Sequence, residues 1–309
     1  FPELQGLMGG YYARAERLPD AVADAIRDHY KPVGQGDDVP TAPVTVAVSL
    51  ADKLDVFTQF FVLIDEAPTG SKDPFALRRA ALGVIAIILR NDLRFRLEQV
   101  LLKAVEDDLD KFGVVWEGHT EKKLAAFFAD RLKVQQREAG VRHDLIDAVF
   151  ALGGEDDLVR LLARVKALQA FMATDDGANL LAGYKRAANI LKQAGQGSPA
   201  NAGAQGGAEP AVADARPGLR LSPESMTVHD ANLLAALDTA EPAASAAVAE
   251  ERFTDAMAAL ASLRAPIDAF FDGVMVNDPD EDIRAYRLGL LARFTGAVHG
   301  VADFSKIEG

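Results

Sequence analysis

Apolar residues recur at spacings of three and four along almost the whole chain, and no segment sustains the alternation that a half-buried strand requires. The spacing predicts helices over 21–30, 44–63, 74–91, 97–112, 120–139, 143–152, 156–173 and 179–194. It resumes over 228–237 and 246–263, with Pro266 bending or starting the next segment. Asn277-Asp278-Pro279 reads as an acid-then-proline start for a helix over 281–299. The β-branched run 44–48 leads directly into Ser49-Leu50-Ala51-Asp52 and is read as helix too. The fold class is all-α. Between 195 and 218 Gly, Ala, Gln and Pro dominate and the period lapses, which predicts a flexible surface loop.

A chain of 309 residues is long enough for two or three cores. No apolar stretch approaches the roughly 20 residues of a membrane helix. The opening Phe1-Pro2-Glu3 is not a secretory leader, and a start without methionine is expected of a fragment of a longer protein. The absence of cysteine rules out disulfides and thiolate chemistry and fits a cytoplasmic location. With 33 basic and 46 acidic residues the net charge is −13, which argues against a general polyanion binder. Charge is distributed unevenly, however. Over 70–100, Lys72, Arg78, Arg79, Arg90, Arg94 and Arg96 face only Asp73, Asp92 and Glu98, so one basic surface on an acidic protein is still available.

Asp73-Pro74 is a helix start, because the carboxylate caps free N–H groups and proline suits the first position. The helix that follows is apolar on nearly every face and is expected to be buried and central. Arg78 and Arg79 stand near its beginning, where the helix dipole offers a cation nothing. They either contact RNA phosphate or pair internally with Asp52, Asp55 or an acid of another domain. Lys72, on a Gly-Ser loop, is a candidate for RNA or subunit contact.

The run Pro68-Thr69-Gly70-Ser71-Lys72-Asp73-Pro74-Phe75-Ala76-Leu77-Arg78-Arg79-Ala80-Ala81-Leu82-Gly83 resembles a segment of the β subunits of bacterial tetrameric glycyl-tRNA synthetases. Other elements are similar in the same order. They include Phe1-Pro2-Glu3-Leu4-Gln5-Gly6 with Met8-Gly9, His29-Tyr30-Lys31-Pro32 and Ala51-Asp52-Lys53-Leu54-Asp55. Towards the end come Phe253-Thr254-Asp255-Ala256, Phe270-Phe271-Asp272 and Val274-Met275-Val276, followed by Arg284, Arg287 and Leu288. The resemblance implies the C-terminal portion of that subunit, in three parts. Residues 1–95 would end an HD-like helical domain, and 96–175 would be a helical body. Residues 176–309 would be an anticodon-binding bundle of the arginyl-tRNA synthetase type, with the loop at about 195–218 inside it.

Within that last part, Tyr184-Lys185-Arg186-Ala187-Ala188-Asn189-Ile190-Leu191 resembles the family's Asn-Lys-Arg-x-x-Asn-Ile-Leu element. Tyr184 stands where asparagine is expected. Lys185, Arg186 and Asn189 can share a helix side, and cations, an amide and an aromatic suit unstacked bases. A solvated helix face is the other reading. Arg284 and Arg287 form a second cationic stripe, either for the anticodon stem or for pairing with the acids at 278–282. Phe270, Phe271 and Phe294 are expected in the core.

Five histidines are too few and too scattered for an HD-type metal centre, since His143-Asp144 and His229-Asp230 lie outside the HD-like part. No phosphate-binding glycine loop and no nucleophilic triad are apparent. The resemblance implies a ligase component without its own catalytic centre, metal or cofactor. It would bind and position tRNA(Gly), including its anticodon region, for the α subunit, which would use ATP and magnesium. No membrane or DNA partner is expected. The alternatives are a degenerate HD-type metal-dependent phosphohydrolase and a helical scaffold for the α subunit only.

Overall fold

The computed structural model describes residues 1–34, 36–63, 76–112, 120–196, 222 and 225–308. Among the described residues, helices are joined by short connections and no strand occurs. Two compact units result: residues 1–140 with 154–162, and residues 141–153 with 163–309.

The first unit contains α1 (Leu7–Ala15), α2 (Asp20–Asp28), α3 (Pro43–Thr58), α4 (Leu77–Arg90), α5 (Leu97–Phe112) and α6 (Thr120–Glu138). The expected buried central helix is α4: Leu77, Ala81, Val84, Ile85, Ile87 and Ile88 are all buried, and it packs on α3 and α6. Aromatic rings complete the core, with Phe57 5.0 Å from Phe128 and Phe61 5.4 Å from Phe127. The helix expected over 44–63 is α-helical to Thr58 and then widens into a π turn, Gln59–Leu63. The Asp73-Pro74 start lies outside the described residues.

The Ala51–Asp55 motif has a structural use. Lys53 is buried, and its ammonium donates to the carbonyls of His29 (3.1 Å), Tyr30 (3.2 Å) and Lys31 (3.3 Å) and to Ser49 Oγ (3.0 Å). Burial pushes its pKa down. The side chain thereby ties α3 to the chain leaving α2. Two of the basic residues counted over 70–100 are likewise engaged. Arg94 pairs with Asp157 at 2.7 Å and Arg96 with Asp156 at 2.9 Å, while Asp156 also accepts from the Glu98 N–H at the start of α5. The expected basic surface is therefore smaller than the count suggests.

The second unit holds α7 (His143–Phe150), residues 163–172 of α8 (Leu158–Met172), α9 (Asp175–Gln196), α10 (Val228–Ala249), α11 (Phe253–Ala261), α12 (Arg264–Gly273) and α13 (Glu281–His299). The expected loop at 195–218 begins as the last residues of α9; residues 197–221 lie outside the described set. The break expected after 237 is absent. Helix α10 runs through Pro242, although an interior proline costs about 3 kcal/mol. Arg293 of α13 braces that turn, donating to Asp238 Oδ1 (2.9 Å) and to Glu241 Oε1 and Oε2 (3.1 and 2.6 Å). Pro266 falls in the first turn of α12, where its missing N–H costs nothing. The cap of α13 is Asp280, not Asp278; its carboxylate accepts from the N–H groups of Asp282 and Ile283.

The end of the chain is tied into this unit. Arg164 donates to the carbonyls of Gly300 and Val301, both at 2.6 Å, covering the free carbonyls at the end of α13. Asp144, buried at the start of α7, accepts from Arg142 and from the Glu308 N–H (2.9 Å). Burial pushes its carboxyl up, but these donors outweigh it and hold the pKa below the ordinary carboxylate value. A depressed carboxylate contributes stability above its unfolded pKa and loses it as the pH falls through the folded pKa. Wild-type protein is therefore expected to lose more stability below about pH 4 than Asp144→Asn does, as read by acid titration of circular dichroism. Parallel profiles would remove this tie from the account.

Candidate functional site

Helix α9 buries Leu180, Leu181, Tyr184, Ala187 and Leu191 along one stripe. Three- and four-residue spacing then leaves Arg186, Asn189, Lys192 and Gln193 outward. The Arg186 guanidinium lies over the Phe271 ring, 4.2 Å from its centroid, and reaches the Phe271 carbonyl at 3.5 Å. Past Phe271, α12 ends at Gly273 and the chain extends through Val274 before α13 begins. Arg284, one turn into α13, donates to the Asp278 carbonyl at 3.1 Å and stands 3.9 Å from Glu281.

These segments enclose a cavity of about 570 Å³, lined by Arg186, Ile190, Gln193, Phe271, Val276, Asn277, Arg284 and Leu288 among others. That volume lies within the range of small-molecule sites. Two guanidiniums, two primary amides and an apolar floor converge there. A guanidinium stacked on one face by an aromatic ring offers its other face to a planar base, and its fork suits phosphate oxygens. The amides can read the edge of a base.

A wall of the cavity is held from beneath. Arg287 donates to Asp230 Oδ1 (3.1 Å), to Asp278 Oδ2 (2.9 Å) and to the Met275 carbonyl (2.8 Å). Asp230 is fully buried and also closes a capping box with Thr227 at the start of α10. Both His-Asp carboxylates, Asp144 and Asp230, thus serve helix starts and ion pairs.

The sequence-selected residues separate into several fates. Arg186 and Arg284 meet at the cavity. Lys185 is half-buried and Asn189 exposed, and neither lines it. Tyr184 is corrected: only 7% exposed, its ring packs on Phe304 at 5.7 Å and cannot receive a base. Arg287 is also corrected. At 4% exposure it pairs internally and cannot reach RNA. Phe271 is core, as expected, yet it also supports Arg186. In the first unit Arg78 is half-buried, whereas Arg79 is exposed and pairs with neither Asp52 nor Asp55 among the described residues. Lys72 lies outside the described residues.

Sequence reasoning missed Gln193, Asn277 and the second role of Phe271.

The family described as glycyl-tRNA synthetase beta subunit matches residues 1–151, and that described as DALR anticodon binding domain matches residues 180–299. The chain is 51% identical to the glycine–tRNA ligase beta subunit of Rhodospirillum centenum, over 100% of this chain and 41% of that protein. It is 51% identical to the same subunit of Paracoccus denitrificans, again over 100% and 41%, and 50% identical to that of Cereibacter sphaeroides, over 100% and 42%. It therefore spans about two fifths of the length of these relatives.

Proposed function

The chain belongs to the family of glycyl-tRNA synthetase β subunits, and from that premise we propose that it is a tRNA-recognition part of the ligase. It binds tRNA(Gly) and positions it for aminoacylation with glycine by the α subunit. The observation that carries this reading is the meeting of Arg186 and Arg284 at one cavity inside the segment that matches an anticodon-binding domain. An unstacked anticodon nucleotide would place its base against Arg186 and its phosphate on Arg284. The proposed division into 1–95, 96–175 and 176–309 assigns the anticodon contact to the last part.

Among the described residues no three His, Asp or Glu side chains gather into a metal-holding group. We assign ATP and magnesium to the α subunit. Among the described residues, no helix is long and apolar enough to cross a membrane, and the cytoplasm, where aminoacylation takes place, is the proposed location.

Binding of tRNA(Gly), its anticodon variants and an unrelated tRNA across a salt series tests the reading. The expected result is a preference for tRNA(Gly) that anticodon changes erode, with log K falling linearly in log salt. Equal affinity for all the tRNAs would leave only a scaffold for the α subunit.

A further inference from the structure

A second cavity, of about 340 Å³, lies in the first unit, and the function proposed above leaves it unused. Its lining includes Pro32, Asp37, Arg79, Leu82, Ala86 and Glu138. Pro32 and the stretch Arg79–Gly83, from two sequence windows that carry the family likeness, thus meet at one cleft although they are far apart in the chain.

The charges of the cleft are unusual. Arg79 forms no hydrogen bond or ion pair among the described residues, although two carboxylates line the same cavity. Its guanidinium fork is therefore open to an anion. Asp37 is fixed in place by the N–H groups of Val33 (2.9 Å) and Asp38 (2.8 Å). The Val33 bond first, then that of Asp38, keeps its carboxyl below the ordinary value. Each of its oxygens retains a further lone pair. Pro32, Leu82 and Ala86 supply apolar surface to the same cleft.

A ligand that satisfies all of these has a flat body, N–H donors on one edge and an anion at the other end. We propose that the cleft binds a nucleotide, with its phosphate on Arg79 and its base among Pro32, Leu82 and Ala86. The base presents its N–H edge to Asp37. Guanine fits best, because N1–H and the N2 amine set two donors side by side for one carboxylate. The nucleotide is either free or an unstacked residue of an RNA, and the site does not depend on the anticodon reading.

Calorimetric titration of the chain with GMP, AMP and inorganic phosphate tests this. GMP is expected to bind at least about tenfold more tightly than AMP, with phosphate weakest. Arg79→Ala should weaken GMP by about tenfold or more, and Asp37→Asn should narrow the preference for GMP over AMP. Arg79 is exposed and unpaired among the described residues, so its removal is expected to leave thermal unfolding in place, which the same samples check. Arg79→Lys, which keeps the charge, should restore part of the affinity. No GMP binding at millimolar concentration, or equal GMP binding by wild type and Arg79→Ala, overturns the proposal. Competition with tRNA(Gly) identifies the source: displacement of GMP assigns the site to an RNA residue, and simultaneous binding assigns it to the free nucleotide. GMP binding without any tRNA binding would sink the anticodon reading alone.

Discussion

Replacing Arg287 with alanine is expected to lower the unfolding free energy by about 3–5 kcal/mol, the range for removing one partner of a buried ion pair. The side chain is 4% exposed and its partner Asp230 is fully buried, so no water would replace the lost donors. Asp230 Oδ1 and Oδ2 receive Arg287 at 3.1 and 3.4 Å, and Asp278 receives it at 2.9 Å. Without the guanidinium, Asp230 would remain a desolvated carboxylate with only the Thr227 N–H and hydroxyl as donors. Urea denaturation of wild type and variant reads the difference. The double variant Asp230→Ala with Arg287→Met should be less destabilised than the sum of the two single changes, since neither charge is then stranded. A loss below about 1 kcal/mol in Arg287→Ala would place this pair with solvated surface pairs.

The helices that were legible in the sequence are those whose period runs cleanly between good end signals. Helix α5 occupies the expected residues because its apolar residues keep the helical period; α13 does so behind a capping carboxylate, Asp280, although its buried residues run round most of the helix. Helix α10 was not legible. Pro242 reads locally as a break, and what holds the helix together there is Arg293, 52 residues away from Glu241. The same limit applies to the site. Arg284 and Arg287 are one turn apart on one helix, with similar neighbours in sequence. Only the packing of α10 against α13 decides that Arg287 meets Asp230 and that Arg284 turns to the cavity. Residue type showed that cations were present on α9 and α13; long-range packing decided which were free to act. Tyr184 followed the same rule, since its ring was claimed by Phe304, far along the chain.

Arg186→Glu combined with Arg284→Gln is expected to weaken tRNA(Gly) binding by at least about a hundredfold. The charge-assisted phosphate contact of Arg284 contributes roughly 1.5–3 kcal/mol and base stacking on Arg186 roughly 1–3 kcal/mol, so the two lost contacts amount to about 2.5–6 kcal/mol, and every 1.4 kcal/mol is tenfold in affinity. Reversal at Arg186 adds repulsion of the phosphate, so the lower figure is a floor. The folded state should change far less. Arg186 is exposed and would give up only its contact with Phe271, about 0.5–1 kcal/mol at an exposed site. Arg284 would give up one bond to the Asp278 carbonyl, and glutamine can donate in its place. A second signature separates RNA contact from general damage: the slope of log K against log salt should become shallower by about 0.7 for each phosphate contact removed from a single-stranded segment. Filter binding across a salt series, beside thermal unfolding of the same samples, reads both quantities. Affinity within twofold of wild type in a folded double variant would mean that the RNA surface lies elsewhere on the chain.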